Sequence, residues 1–400
     1  MGDFSRLEAA ERAGVGPDDL GPLIDAGILT PDDDDRFSMG DVRRIGLVHS
    51  FVAAGIPLEG LAAHLRDGAI SLAWLDSPAY DRFSSYGGVT FQALSARAGV
   101  PVELLMVIRE AIGGALPAPS DRMRDDELTI VPLVEAQRES GVRDTTIESA
   151  LRATGESLRR AAEVEAAWFG SEVMGPRFAG KTGAEIAAVA IEFAERLTPL
   201  NEQAVLAMYH AHQAHALTGT TIVGFERALA EAGLVSRLEL PPAMCFLDIT
   251  GYTRLTQESG DTAAADLAEQ LGRLVQRTSL HHGGRPVKWL GDGVMIYFRE
   301  PGLGVLAALQ LVEGVVAAGL PPAHVGLHAG PVVFQAGDYY GQTVNVAARI
   351  ADYARPGEVL VSQAVVDVSE DTHISFADMG PVELKGVSGV VRLFAARGMS

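Results

Sequence analysis

Residues 287–298, VKWLGDGVMIYF, decide the fold. Two apolar runs flank Gly291-Asp292-Gly293, so the stretch reads as two strands joined by a tight turn. Working outward, residues 261–281 carry apolar side chains at helical spacing, and AMCFLDI (243–249) before them reads as another strand. Downstream, residues 303–318 read as a helix, followed by the strand-like runs HVGLHAGPVVF (324–334) and GEVLVS (357–362). The order strand–helix–strand–strand–helix–strand is the ferredoxin-like βαββαβ pattern with additions after it. An α+β domain is therefore expected from about Pro241 to Arg397.

The 400-residue chain carries 52 acidic and 32 basic side chains, a net charge of −20. That length favours two or three domains. The charge argues against a chain built mainly to grip phosphate backbones or anionic lipid. Cys245 is the only cysteine, which excludes an intrachain disulfide and argues against a cysteine-based zinc site. A reducing, cytoplasmic setting is expected. The opening Met1-Gly2-Asp3-Phe4 has neither the basic nor the apolar region of a secretory signal. The most apolar stretch, Leu303 to Leu320, is interrupted by Gln310 and Glu313, so no transmembrane segment is expected.

The first 167 residues contain a diverged repeat. AERAGVGPDDLGPLIDAGIL from Ala10 aligns with SARAGVPVELLMVIREAIGG from Ser95, pairing Gly14 with Gly99 and Leu20 with Leu105. LVHSFVAAGIPLEGLAAHLRD from Leu47 aligns with LVEAQRESGVRDTTIESALRA from Leu133, pairing Gly55 with Gly141. Each unit reads as helix–turn–helix followed by more helix, and the first resembles the winged helix-turn-helix of MerR-type regulators. Residues 1–82 and 83–167 are expected as two regulatory helical units. Residues 168–235 are expected as a helical coupling segment broken at Pro199 and loosened at Gly219 and Gly224. Residues 236–400 are expected as the last domain.

The last domain carries the chemistry. Asp248 ends one strand, and Asp292 sits in the glycine-flanked turn. Each alone is an ordinary turn aspartate. Together, on adjacent strand ends, they suit divalent cations such as magnesium, which accept few protein carboxylates and keep positions open for phosphate oxygens. In GQTVNVAARI, Asn345 and Arg349 are four apart and share one helix face. Lys288 precedes Asp292 by four, and Asp338 precedes Asn345 by seven.

FLDITGYT, VKWLGDGVMIYF and GDYYGQTVNVAAR resemble the motifs of class III adenylyl cyclases, in order and spacing. The resemblance implies production of cyclic AMP from ATP. It assigns Asp248, Ile249 and Asp292 to metal, two divalent cations (Mg2+ or Mn2+) per site. It assigns Lys288 and Asp338 to adenine, and Asn345 and Arg349 to the transition state. Lys288 would donate to adenine N1 and Asp338 accept from the N6 amine, a polarity that guanine reverses. One complement per chain implies a homodimer with two composite sites. Tyr252, where phenylalanine is frequent, and the short segment 331–342, implying an abbreviated dimerisation arm, are minor departures.

The layout is similar to soluble actinobacterial and mycobacterial cyclases with a MerR-like regulatory half, including pH-sensing ones. The resemblance makes pH one candidate input and a fatty-acid-like ligand another, with apolar helices such as residues 184–197 as possible pocket lining. His210, His212 and His215, within two helical turns, are candidate pH-switch residues, since histidine titrates near neutrality. A solvated helix face explains them equally well. The competing reading is a MerR-like DNA-binding regulator with a nucleotide-sensing domain. Residues 1–82 hold 15 acidic and 7 basic side chains, and Asp32 to Asp35 occupy the supposed wing. Phosphates would be repelled there, so DNA binding is disfavoured.

Overall fold

The computed structural model describes residues 3–80, 85–233, 240–251, 261–335, 337–369 and 373–398. The expected boundaries at 82/83 and 235/236, and Tyr252, lie outside the described residues. The chain divides into two compact units, Met1–Val223 and Gly224–Ser400.

The first unit opens with α1 (Arg6–Ala13), α2 (Leu20–Asp25), α3 (Met39–Ala53) and α4 (Leu58–Arg66). Then come β1 (Tyr86–Thr90), α5 (Phe91–Ala98), α6 (Val102–Ala111), β2 (Arg122–Arg124), α7 (Asp125–Glu139) and α8 (Asp144–Trp168). The repeat is visible in the backbone. Ser5 caps α1 through a capping box with Glu8, and Thr90 caps α5 by accepting from the Ala93 amide. Both helices end on paired glycines in the left-handed region, Gly14 at φ 74° and Gly99 at φ 67°. Each repeat buries its own core: Ala9, Leu20, Phe37, Ile45 and Val48 in the first, Phe91, Leu105, Ile108, Met123 and Ile147 in the second. The second also buries an ion pair, with Arg109 Nη2 donating to Glu127 Oε2 at 2.9 Å. Removing one partner of such a pair costs about 3–5 kcal/mol.

After a π-helical turn (Phe169–Met174) and α9 (Gly175–Phe178), α10 runs unbroken from Gly183 to Glu231. The expected break at Pro199 does not occur, nor do Gly219 and Gly224 interrupt the helix. Proline removes one ladder hydrogen bond. Alanine, leucine, glutamate and glutamine on both sides of it favour helix strongly enough to carry the chain through. Pro132 is likewise absorbed inside α7. From Glu202 to Leu229 nearly every residue of α10 is exposed.

The second unit contains β3 (Ala243–Ile249), α11 (Asp261–His281), β4 (Gly284–Leu290), β5 (Gly293–Phe298), α12 (Pro301–Ala317) and β6 (Ala323–Ala329). It continues with β7 (Val333–Gln335), β8 (Asp338–Tyr340), α13 (Gln342–Tyr353), β9 (Val359–Ser362), α14 (Gln363–Val366), β10 (Ile374–Glu383) and β11 (Val390–Gly398). The seven-stranded sheet runs β10-β11-β9-β6-β3-β5-β4, antiparallel except where β6 meets β9. Its βαββαβ part is the ferredoxin-like arrangement that the sequence pattern implies.

Strand alternation divides the side chains. Ala243, Cys245, Leu247 and Ile249 of β3 join Val294, Ile296 and Phe298 of β5 in the main core with α11 and α12. Met244 and Met295 point to the opposite face and meet Tyr339 and Ala347. That second face carries the candidate site.

Candidate active site

Asp248 is an even-numbered residue of β3, so alternation puts it on the second face, at the strand's end. Its register partners are Gly293 on β5 and His324 on β6. Asp292, in the turn preceding β5, stands beside it. Burial raises the Asp248 carboxyl above its ordinary value, and the like charge of Asp292 raises it further. His324 partly opposes this, with Nε2 3.5 Å from Asp248 Oδ2. Ile249 is buried with its side chain in the main core, so its backbone oxygen is what it can offer a cation.

The chemistry of this donor set fits a divalent metal. Two carboxylates converge, repel, and sit partly out of water, while no cluster of three or more ligating side chains exists among the described residues. Hard cations that keep several waters suit such a sparse all-oxygen site.

On the same face, Lys288 Nζ donates to Asp338 Oδ2 and bridges β4 to β8. The Tyr339 amide donates to Asp338 Oδ1 at 2.8 Å. Thus one chain brings together the two residues expected to read the purine.

Helix α13 buries Thr343, Val346, Ala347 and Ile350. Asn345 and Arg349, four apart, remain on its exposed side. The helix lies close to β6 because position 326 is glycine: a Cβ there would collide with the Ala351 backbone nitrogen. Arg349 Nη1 donates to Asp352 at 2.6 Å, within its own helix. Among the described residues, no hydrogen bond or ion pair connects Asp248 or Asp292 with Lys288, Asp338, Asn345 or Arg349.

His210, His212 and His215 all lie exposed on α10. His215 Nδ1 is 2.7 Å from the Ala211 carbonyl oxygen, one helical turn back. Sequence reasoning missed His324, although HVGLHAG alternation places His324 and His328 on one face. Its position opposite Asp248 depends on strand register, which no local signal reveals.

A βαββαβ sheet with paired aspartates at one strand end, a Lys–Asp pair beside them and an outward Asn/Arg helix defines a class III nucleotidyl cyclase domain. Residues 241–396 match the family model described as the adenylate and guanylate cyclase catalytic domain. The chain is similar to the pH-sensitive adenylate cyclase MT1302 of Mycobacterium tuberculosis, 29% identical over 77% of this chain and 78% of that protein. It is 26% identical to an adenylate cyclase of Streptomyces coelicolor over 69% of this chain and 70% of the relative. Rv2212 of Mycobacterium tuberculosis is 36% identical, over 37% of this chain and 39% of its own length. Residues 241–396 are a class III cyclase catalytic domain, that of an enzyme, and the chain as a whole is similar to adenylate cyclases of actinobacteria. No helix among its described residues is long and apolar enough to cross a membrane.

Proposed function

We propose that the chain converts ATP to 3′,5′-cyclic AMP and pyrophosphate in a homodimer with two composite sites, controlled by its N-terminal half. The observation that carries this reading is the Lys288–Asp338 pair on the same face as the aspartates. A donor and an acceptor side by side match the N1 and N6 edge of adenine. Guanine would leave both unpaired, which is the stronger form of discrimination.

Asp248 and Asp292, with the Ile249 backbone oxygen, would hold two divalent cations, Mg2+ or Mn2+. When bound, these ions would favour ionisation of the ribose 3′-hydroxyl and offset charge on the departing pyrophosphate. Arg349 would stabilise the negative charge growing on the α-phosphoryl oxygens. Asn345 would orient the ribose for in-line attack. The two copies would share these groups across a two-fold axis: metal carboxylates from one copy, purine and transition-state residues from the other.

Mixing Asp248→Ala chains with Arg349→Ala chains tests this sharing. Each variant alone should be nearly inactive, and an equal mixture should recover about a quarter of wild-type activity, because half the dimers carry one intact site. A mixture as inactive as its components would refute shared sites.

The regulatory input we infer is acidity, acting through α10 in the cytoplasm. His210, His212 and His215 are exposed on that helix, and a relative of similar layout is named pH-sensitive. Protonation would favour the dimer arrangement that shields these rings least from water, and acid would shift the enzyme toward it. An unchanged pH–activity profile after all three become glutamine would count against this input. A fatty-acid-like ligand seated against the apolar helix at residues 184–197 is the second candidate input. A cavity of about 420 Å³ in the first unit is lined by Arg12, Arg43, His49, Trp74 and Tyr86.

The DNA-binding alternative gains nothing from the wing. Asp32 Oδ1 accepts from the Asp34 and Arg36 amides at 3.2 and 3.0 Å, and Arg6 pairs with Asp35 at 3.4 Å. The turn is acidic and is satisfied within its own repeat.

A further inference from the structure

The two-stranded hairpin β7–β8 carries Asp338, yet among the described residues it pairs with no strand of the main sheet. Something else must hold it. Tyr339 is buried, 6% exposed, and its ring stacks on Tyr297 of β5 with centroids 4.7 Å apart and planes 10° from parallel. Phe334, its register partner on β7, packs at 5.0 Å on the same ring. Arg285 Nη2 donates to the Tyr339 hydroxyl, and its guanidinium lies 5.3 Å from the Tyr297 ring centre.

The backbone of β4 explains how Arg285 reaches this place. Simple alternation would send Arg285 and Lys288 to opposite faces. The β4–β5 register shifts between Pro286 and Lys288, so Arg285 pairs with Tyr297 and Lys288 with Met295, two residues apart on β5. This bulge turns both cations to the same side. Neighbouring hairpin residues are then gripped by one strand: Tyr339 by Arg285, and Asp338 by Lys288.

We propose that Tyr339, clamped by Arg285 and Tyr297, is a positioning residue that sets the reach of Asp338 and thereby the enzyme's choice of purine. The inference rests on the assignment of Lys288 and Asp338 to the adenine edge. A carboxylate that must meet an amine within a few tenths of an ångström cannot sit on a hairpin free to slide. The aromatic stack fixes the hairpin's height over the sheet, and the Arg285 hydrogen bond fixes its rotation. The clamp touches neither metal nor phosphate, so it should govern recognition more than turnover.

The test compares ATP and GTP kinetics of the full chain, with Mn2+ supplied, for wild type, Tyr339→Leu, Tyr339→Phe, Arg285→Met and Lys288→Ala. For Tyr339→Leu the KM for ATP should rise about tenfold and the ATP-over-GTP preference in kcat/KM should fall about tenfold, with kcat changed less. Tyr339→Phe keeps the stack and should return the preference to within about threefold of wild type. Arg285 is exposed, so Arg285→Met carries the same test should Tyr339→Leu fail to fold; a preference lowered toward GTP is expected. An unchanged preference in a folded Tyr339→Leu or Arg285→Met chain overturns the clamp. So does an equal loss of kcat on both nucleotides at constant KM, which marks general damage. Lys288→Ala separates the two levels. If it leaves the preference intact, the purine assignment itself fails. If it abolishes the preference while the clamp variants do not, the clamp alone fails.

Discussion

Two charged pairs occupy one face of the catalytic sheet, and they are built on opposite principles. Lys288 and Asp338 neutralise each other, so that pair rests satisfied before any ligand arrives. Asp248 and Asp292 are like charges held together at a strand end, where burial and mutual repulsion raise the Asp248 carboxyl. His324 offsets this only in part, from 3.5 Å. On the proposed reading, the first pair would exchange its complementarity for a purine edge. On the same reading, the second would be completed by a bound cation. The fold would then accept the second arrangement for the sake of function, at some cost to stability.

The largest effect should come from breaking the like-charged pair. Asp248→Asn should lower kcat about a thousandfold or more, on the scale of losing a group that organises transition-state charge. The same change should not lower the melting temperature in chelator, because it removes a carboxylate the fold holds unwillingly. The sign follows from the raised value. Between the ordinary 3.8 and the folded value the native state binds more protons, so Asp248 subtracts stability as pH rises through that window. Added Mn2+ should then raise the melting temperature of wild type but not of Asp248→Asn. A variant melting well below wild type in chelator would show that Asp248 is a structural residue instead.

A smaller effect is expected from the satisfied pair. Asp338→Asn leaves Lys288 without its carboxylate, but both side chains are partly solvated, 40% and 22% exposed. The stability loss should stay within about 1 kcal/mol, as for other surface-accessible ion pairs. Selectivity should suffer more: the preference for ATP over GTP should drop about tenfold or further, since asparagine can donate to the guanine carbonyl. Denaturant midpoints and paired kcat/KM values would show both. A large stability loss with unchanged selectivity would reverse the roles of the two pairs.

Much of this domain was legible in the sequence because its signals are local. Alternation in AMCFLDI and VMIYF, with the glycines around Asp292, marks β3, β5 and the turn between β4 and β5. The helical spacing of residues 261–281 coincides with α11. The spacing of Asn345 and Arg349 puts both on the outer side of α13. What escaped depends on distant parts of the chain. His324 meets Asp248 through register, and the Arg285 clamp exists because of a bulge that leaves no mark in composition. Pro199 misled for a different reason. Its local penalty is real, but forty-nine residues of helix outvote it.

The smallest effect concerns His328, two residues beyond Gly326 on the strand that supplies His324. Its Nδ1 lies 2.7 Å from the Ser362 hydroxyl oxygen, and burial lowers its pKa below the ordinary 6.5. The unfolded chain therefore takes up a proton there first as pH falls. Stability from this group is present in full above about 6.5 and declines as pH drops toward the folded value. That slope is opposite in sign to the one from Asp248, which separates the two. In chelator, the fall in melting temperature from pH 7.5 to 5.5 should shrink by about 1–3 °C in His328→Gln. The glutamine can keep a hydrogen bond to Ser362, so its stability at pH 7.5 should be near wild type. An identical fall in both proteins would remove His328 from the account.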